Sequence, residues 1–159
     1  MFQIGDKIVH PMHGAGIIDG VVSRQINGVM RDYYTLKLSV GGMTLMIPTE
    51  NSAEIGVRPV VEPETIDHVL RALPELQVEE DTNWNRRYRE NMLRLKSGDL
   101  LEVARVMKGL LQRESEKGLS TGERKLLHTV RQIFASEIAL AEECSYEDAE
   151  GRIGAAMGQ

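Results

Sequence analysis

The sequence predicts an α+β chain in which a small β barrel or curled sheet is followed by an all-helical region. Two observations predict this order. Up to about residue 61, apolar and polar residues alternate and are interrupted at short intervals by tight-turn residues, as is typical of short β-strands. After Pro63 the apolar spacing changes to three and four residues, which is the spacing along one face of an α-helix. A length of 159 residues with 42% apolar residues fits one ordinary domain or two small ones.

Five short strands are expected in the first 61 residues. They cover residues 7–10, 16–26, 29–40, 43–47 and 55–61. Asn27 and Gly28 form the strongest hairpin signal in the chain, because this dipeptide favours the two-residue turns that join antiparallel strands. Gly20 marks an expected β-bulge, residues 41–42 form a second tight turn, and Pro48 is expected to end the fourth strand.

Helices are expected after Pro63. They cover residues 65–73, 83–96, 100–116 and 121–143, and a last short helix begins at about residue 145. Asp99 is expected to cap the third of these helices, and Gly118 to end it. Ser120 and Glu123 have the spacing of a capping box. We therefore divide the chain into a β module (residues 1–61), a helix with an acidic linker (residues 62–82) and a helical module (residues 83–159).

Charge is distributed unevenly along the chain. The net charge is −5, yet residues 81–131 carry twelve Lys and Arg against seven Asp and Glu. A local basic field matters more to a polyanion than the total charge does. No apolar run reaches about 18 residues, and the N-terminus lacks a basic head followed by an apolar stretch, so we expect a cytoplasmic protein without membrane contact. The single cysteine, Cys144, excludes an internal disulfide.

Motifs of the common enzyme classes are missing from the sequence. It contains no phosphate-binding loop, dinucleotide fingerprint, zinc-protease motif or serine-hydrolase elbow, so we expect no catalysis, no cofactor and no metal. His10 and His13 are close enough to share a metal ion, but two histidines alone make a weak site. An enzyme that uses this pair with a metal remains one alternative.

The most informative segment covers residues 81–96. It holds the only tryptophan, Trp84, at an expected helix start, and several basic side chains follow: Arg86, Arg87, Arg89, Arg94 and Lys96. Guanidinium groups bind phosphates and an aromatic ring can stack or wedge against bases, so the pattern is typical of nucleic-acid contact. The alternative is that Trp84 anchors the helix in the core while the arginines form a solvated face.

Two further surfaces are candidates for binding. Arg124 and Lys125 lie in the first turn of a predicted helix, where they oppose the helix dipole and where a phosphate would relieve that opposition. The alternative there is an ordinary surface pair. Arg24 and Ile26 lie near the tip of the predicted hairpin, where they offer a plausible protein contact or simply belong to an ordinary hairpin.

Several motifs of this chain resemble the CarD/CdnL family of bacterial transcription regulators, over residues 2–143. The motifs are FxxGDxIVHPxHGAG at 2–16, IPxEN at 47–51, NWxRRYRxN at 83–91, SGD at 97–99 and RxxEKGLSxGERKLL at 113–127. The first motif is shared with the polymerase-interacting domain of the transcription-repair coupling factor. NWxRRYRxN, followed by the helical segment, is specific to CarD-like proteins.

This resemblance implies a fold and two partners. The β module would be Tudor-like and would bind the lobe of the RNA polymerase β subunit. The helical module would contact promoter DNA at the upstream edge of the bubble, with Trp84 as a wedge in the minor groove. The basic residues implied to hold the DNA backbone are Arg86, Arg87, Arg89 and Arg124, and we add Lys125 because it lies with Arg124 in the first turn of the same helix.

The resemblance also implies residues of the polymerase contact and an outcome. Arg24 occupies a position where the family uses a basic side chain towards the polymerase, and Ile26 lies beside it. Met46 departs from the pattern, because some relatives have an arginine there. The implied outcome is a stabilised open promoter complex without sequence-specific readout. Separately, we expect the protein to be a monomer. The alternative is a protein-only adaptor of RNA polymerase, in which Trp84 belongs to the core.

Overall fold

The computed structural model describes residues 1–78 and 81–158, and within them a five-stranded sheet precedes the helical region. The strands are β1 (Lys7–His10), β2 (Gly14–Ile26), β3 (Val29–Leu38), β4 (Thr44–Pro48) and β5 (Arg58–Pro59). The helices are α1 (Ser52–Ile55), α2 (Pro63–Ala72), α3 (Trp84–Leu95), α4 (Leu100–Glu116), α5 (Thr121–Glu142) and α6 (Tyr146–Ala156), with a 3₁₀ turn over Leu73–Glu75. This architecture confirms the predicted α+β class.

The sheet is antiparallel, with the linear order β4-β3-β2-β1-β5. The predicted hairpin turn is confirmed, because Ile26 pairs with Val29 around Asn27 and Gly28. Both turn residues have positive φ angles, 52° and 77°, as a type I′ turn requires. The predicted bulge is also confirmed, since the register of β2 against β3 shifts between Ile18 and Gly20.

The fourth strand ends at Pro48 as predicted, and Pro48 is itself its last paired residue, opposite Tyr33, but the fifth strand needs correction. An edge strand tolerates a proline where the N–H would point to solvent, because no hydrogen bond to the neighbouring strand is then lost. The strand expected over residues 55–61 is reduced to Arg58–Pro59 in β5, and Ile55 ends the short helix α1. Gly56, with a φ of 102°, ends that helix in a left-handed conformation.

The helix starts follow the predicted capping chemistry. The side chain of Asp99 accepts a hydrogen bond from the Leu101 amide, and Ser120 and Glu123 form the complete capping box. Gly118 follows the actual C-cap, Lys117, and has a φ of 80°. The acidic linker was predicted over residues 75–82, of which 79 and 80 lie outside the described residues.

The hydrophobic core has two parts. One cluster fills the sheet and includes Ile8, Ile18 and Tyr34. The other fills the helical module and also takes in Val9 and Ala15 from β1 and β2, which pack on α5. The β module and the helical module are therefore in direct contact. Of the described helices, none combines the length and the apolar character that a membrane span needs.

Candidate nucleic-acid and polymerase interfaces

Trp84 is the first residue of α3, where it is anchored on two sides while 42% of the residue stays exposed. Its ring stacks on Tyr88, with the centroids 5.2 Å apart and the planes 12° from parallel. Its Nε1 donates a hydrogen bond to the Ser120 Oγ at 3.1 Å. The ring therefore lies outside the core in a fixed orientation, with a free surface towards solvent.

The hydrogen bond between Trp84 and Ser120 brings the start of α3 against the start of α5. Arg124 and Lys125 are exposed on the first turns of α5, so the structure places these two predicted cations at the same end of the helical module as Trp84. Arg124 Nη2 lies 3.5 Å from the Thr121 Oγ1. A shallow depression in this surface is lined by Thr121, Arg124, Lys125, His128 and Thr129.

Two of the predicted arginines are exposed on α3, the helix that begins at Trp84. Arg86 is 62% exposed along its side chain, and its Nε lies 2.7 Å from Asp81 Oδ2. Arg89 is also exposed. Residues three apart on a helix share a side, so Arg86 and Arg89 form one basic surface. We call the set of Trp84, Arg86, Arg89, Arg124 and Lys125 the Trp84 surface.

Arg87 has a different place from the one that the resemblance implied. It is only 8% exposed, and its guanidinium binds Glu123, with Nε 2.9 Å from Oε2 and Nη2 3.3 Å from Oε1. Its Nη1 also donates to the Asp81 carbonyl at 2.9 Å. The helical turn places Arg87 towards α5 and Arg86 towards solvent. This burial argues against a DNA contact by Arg87 and makes it a structural tie between α3 and α5.

Glu123 connects this tie to the anchor of Trp84. Its Oε1 lies 3.1 Å from the hydroxyl of Ser120, and the Ser120 Oγ in turn accepts from the Glu123 amide at 3.1 Å. Burial alone would raise the pKa of Glu123, but hydrogen bonds from Arg87 and Ser120 and the charge of Arg87 outweigh it and lower that pKa. The capping box was visible in the sequence, whereas nothing there linked Ser120 to Trp84 or Glu123 to Arg87.

The predicted polymerase contacts share one face of the sheet, which we call the hairpin face. Arg24 pairs with Arg31, Ile26 with Val29, and Met46 with Thr35, and these β3 partners are all odd-numbered and so point to one side. Ile26 is 49% exposed, Val29 52% and Met46 42%. Two arginines directly opposite each other repel, so this face favours an acidic partner. Sequence reasoning missed Val29 and Arg31, which only the strand register reveals.

His10 and His13 lie side by side, with ring centroids 4.7 Å apart. The Nδ1 of His10 accepts the Met12 amide at 3.0 Å. Burial and the neighbouring His13 lower the pKa of His10 to about 4, so its imidazole is neutral at pH 7. Among the residues that the structure describes, no group of three or more His, Cys, Asp and Glu side chains is arranged to hold a metal ion.

Comparison with known proteins shows the family to which this chain belongs. The family model of the CarD-like/TRCF RID domain, the RNA polymerase-interacting domain, matches residues 2–61, and that of the CarD C-terminal domain matches residues 68–154. The Bacillus subtilis (strain 168) protein named "Putative transcription factor YdeB" is 34% identical over 138 residues, which are 87% of this chain and 90% of the relative. The RID domain is Tudor-like, which confirms the fold implied for the β module. The chain belongs to the CarD-like family of transcription factors, which interact with RNA polymerase.

Proposed function

We propose that this chain stabilises the open promoter complex. Its β module binds the lobe of the RNA polymerase β subunit, and its helical module contacts promoter DNA at the upstream edge of the bubble, with Trp84 as a wedge in the minor groove. It acts as a monomer in the cytoplasm, on polymerase at the nucleoid, by binding and without catalysis. The observation that carries the proposal is Trp84, which is anchored by Tyr88 and Ser120 yet 42% exposed, on a helix with exposed arginines and bonded to the helix that carries Arg124 and Lys125.

The anchoring of Trp84 suits a wedge. An aromatic ring inserted at a base step keeps the two bases apart, and such an insertion costs less when the ring is already ordered in the free protein. Stacking on Tyr88 and the bond to Ser120 supply that order. The free surface of the ring is then available to unstacked bases.

The cations of the Trp84 surface suit DNA backbone rather than base recognition. Arg86, Arg89, Arg124 and Lys125 are exposed in the first two turns of α3 and α5, the two helices whose starts are joined by the hydrogen bond of Trp84. Arginine and lysine bind phosphates strongly but phosphate contacts carry no sequence information. This arrangement supports binding without sequence-specific readout and with a strong dependence on salt.

The two modules have complementary parts in this proposal. With a net charge of −5, the chain has no general attraction for bulk DNA. Binding to polymerase through the hairpin face would raise the effective concentration of the Trp84 surface at the promoter. A ligand that favours open over closed DNA by about 1.4 kcal/mol raises the ratio of the two states about tenfold.

The test is the lifetime of open complexes formed by the polymerase of the same bacterium, measured after addition of a competitor such as heparin. We expect the lifetime to increase when saturating wild-type protein is present. If the protein binds polymerase and the lifetime stays the same, the proposed DNA contact is wrong. The chain would then be a protein-only adaptor.

Arg24→Glu is expected to weaken binding to RNA polymerase about tenfold or more, because an acidic partner of the hairpin face would meet a like charge. The fold should survive, since a glutamate opposite Arg31 replaces a repulsive cross-strand pair by an attractive one. Affinity for the polymerase is measured with immobilised polymerase. The matched control is Arg71→Glu, which reverses an exposed cation of α2 and should leave affinity unchanged. Equal affinities for both variants would contradict this placement of the contact.

A further inference from the structure

Glu137 lies within α5 and is fully buried, and an arginine of the β module neutralises it. Arg58 Nη1 lies 2.7 Å from Oε2, and Arg58 Nη2 lies 2.6 Å from Oε1. The Val61 amide also donates to Oε2 at 2.9 Å. Arg58 belongs to β5, and its side chain is only 12% exposed. A two-pronged, charge-assisted contact of this kind fixes the relative angle of the two groups as well as their distance.

The neighbouring contacts show that the sheet backbone rests directly on α5. Ser136 Oγ accepts the Ala15 amide at 2.9 Å, and a Cβ added at Gly14 would lie only 2.7 Å from that oxygen. One turn further along α5, the Leu140 carbonyl accepts from Lys7 Nζ at 3.1 Å. The ion pair between Arg58 and Glu137 is therefore one charged contact, and the buried one, within a close packing of the β module on one helix.

The same helix carries the anchor of Trp84 at its other end. Ser120, which binds the indole Nε1, caps α5. Ser120 and Glu137 are 17 residues apart in sequence, which corresponds to about 25 Å along an α-helix. The angle at which the sheet sits on α5 thus sets the distance between the hairpin face and Trp84. A tilt of about 10° would displace the indole by about 4 Å over a 25 Å lever.

Stability alone does not explain why an ion pair is buried at this position. An apolar pair of similar size is often as stable or more stable, but its contacts constrain orientation less than a forked ion pair does. We infer that Arg58 and Glu137 are positioning residues, whose ion pair holds Trp84 at the distance from the hairpin face that polymerase-bound DNA requires. This inference rests on the proposed function, since only a chain that binds polymerase and DNA at the same time needs a fixed distance between the hairpin face and Trp84.

The main test variant is the double substitution Arg58→Met with Glu137→Leu. It leaves no unpaired buried charge and keeps apolar bulk, so the chain should fold. A second variant, Arg58→Lys, keeps the charge but cannot make the two-pronged contact. Asp67→Asn is the control, because its ion pair with Arg152 lies inside the helical region and does not involve the β module.

Two quantities are measured on each folded variant. The first is the distribution of distances between spin labels at Glu54→Cys and Glu90→Cys, two exposed positions in the β module and on α3, in a Cys144→Ser background. The second is the open-complex lifetime, together with separate affinities for polymerase and for DNA. We expect a broader distance distribution for both test variants and at least about a threefold loss of the lifetime increase, because misplacement by a few ångströms weakens a preorganised contact. Both separate affinities and the Asp67→Asn control should match the wild type.

The outcomes separate this inference from the proposed function. If the wild type lengthens the lifetime and the double variant lengthens it equally, the inference is overturned and the proposed function stands. An unchanged distance distribution in the double variant overturns it as well. If the wild type itself has no effect on the lifetime, the proposed function fails, and the positioning role falls with it.

Discussion

Trp84→Ala is expected to remove most of the increase in open-complex lifetime that the wild-type protein produces, a loss of about tenfold. That factor corresponds to about 1.4 kcal/mol, within the range for a ring that occupies an unstacked base step. Truncation removes the exposed surface of the indole while the neighbouring cations Arg86 and Arg124 stay in place. Binding to polymerase should not change, because Trp84 lies outside the hairpin face. The measurement is the half-life of open complexes after competitor challenge, at equal occupancy of polymerase.

Two further variants separate a wedge from a structural tryptophan. Leu93→Ala truncates another exposed apolar residue of α3, 64% exposed, and should leave the lifetime unchanged. Trp84→Phe keeps an aromatic ring but loses the hydrogen bond to Ser120, so an intermediate lifetime is expected. Because Trp84 is half-exposed, its truncation should lower the free energy of unfolding by about 1 kcal/mol only. Unfolding of the helical module by Trp84→Ala would contradict the wedge and assign the residue to the fold.

The parts of the fold that were predicted from sequence are those that depend on neighbouring residues. The hairpin at Asn27 and Gly28 and the capping box at Ser120 each need chemistry within four residues, and both are confirmed. The fifth strand was predicted too long, because apolar alternation could not show that Gly56 ends a short helix in a left-handed conformation. Local sequence signals thus predicted where strands and helices lie. The ends of these elements depend on single backbone angles, such as the φ of Gly56, which the apolar pattern does not show.

The candidate site depended on contacts that no local pattern encodes. Arg86 and Arg87 are adjacent in sequence, and composition gave no means of telling the exposed one from the buried one. Arg87 is the buried one because it pairs with Glu123, which is 36 residues away from it in sequence and is itself buried. The same holds for Arg58 and Glu137, which are 79 residues apart. A buried charge needs a partner, but sequence periodicity does not identify which residue supplies it.

Arg87→Ala is expected to lower the free energy of unfolding by about 3–5 kcal/mol, because it leaves the buried carboxylate of Glu123 without its main partner. Arg113 Nε lies 3.8 Å from Glu123 Oε1. Because this second arginine still compensates part of the negative charge, the loss of unfolding free energy should lie near the lower end of that range. The matched control is Arg86→Ala, which removes an exposed ion pair one residue away and should cost less than about 1 kcal/mol. Urea unfolding of both variants at pH 7 measures the difference, and equal losses would contradict the structural part assigned to Arg87.

The pH dependence of that loss provides an independent check on the same ion pair. The fold lowers the pKa of Glu123 below its ordinary value of 4.5, so the stability that the pair contributes is fully present above about pH 4.5. It is lost as the pH falls through the lower pKa of the folded state, where the carboxyl becomes protonated. In Arg87→Ala, burial without the arginine favours the protonated form of Glu123. Protonation removes the uncompensated buried charge, so the variant loses less stability relative to wild type as the pH falls. The difference in unfolding free energy between wild type and Arg87→Ala should therefore narrow as the pH falls from 7 towards 3. A difference that stayed constant over that range would show that lost packing, rather than charge, explains the effect.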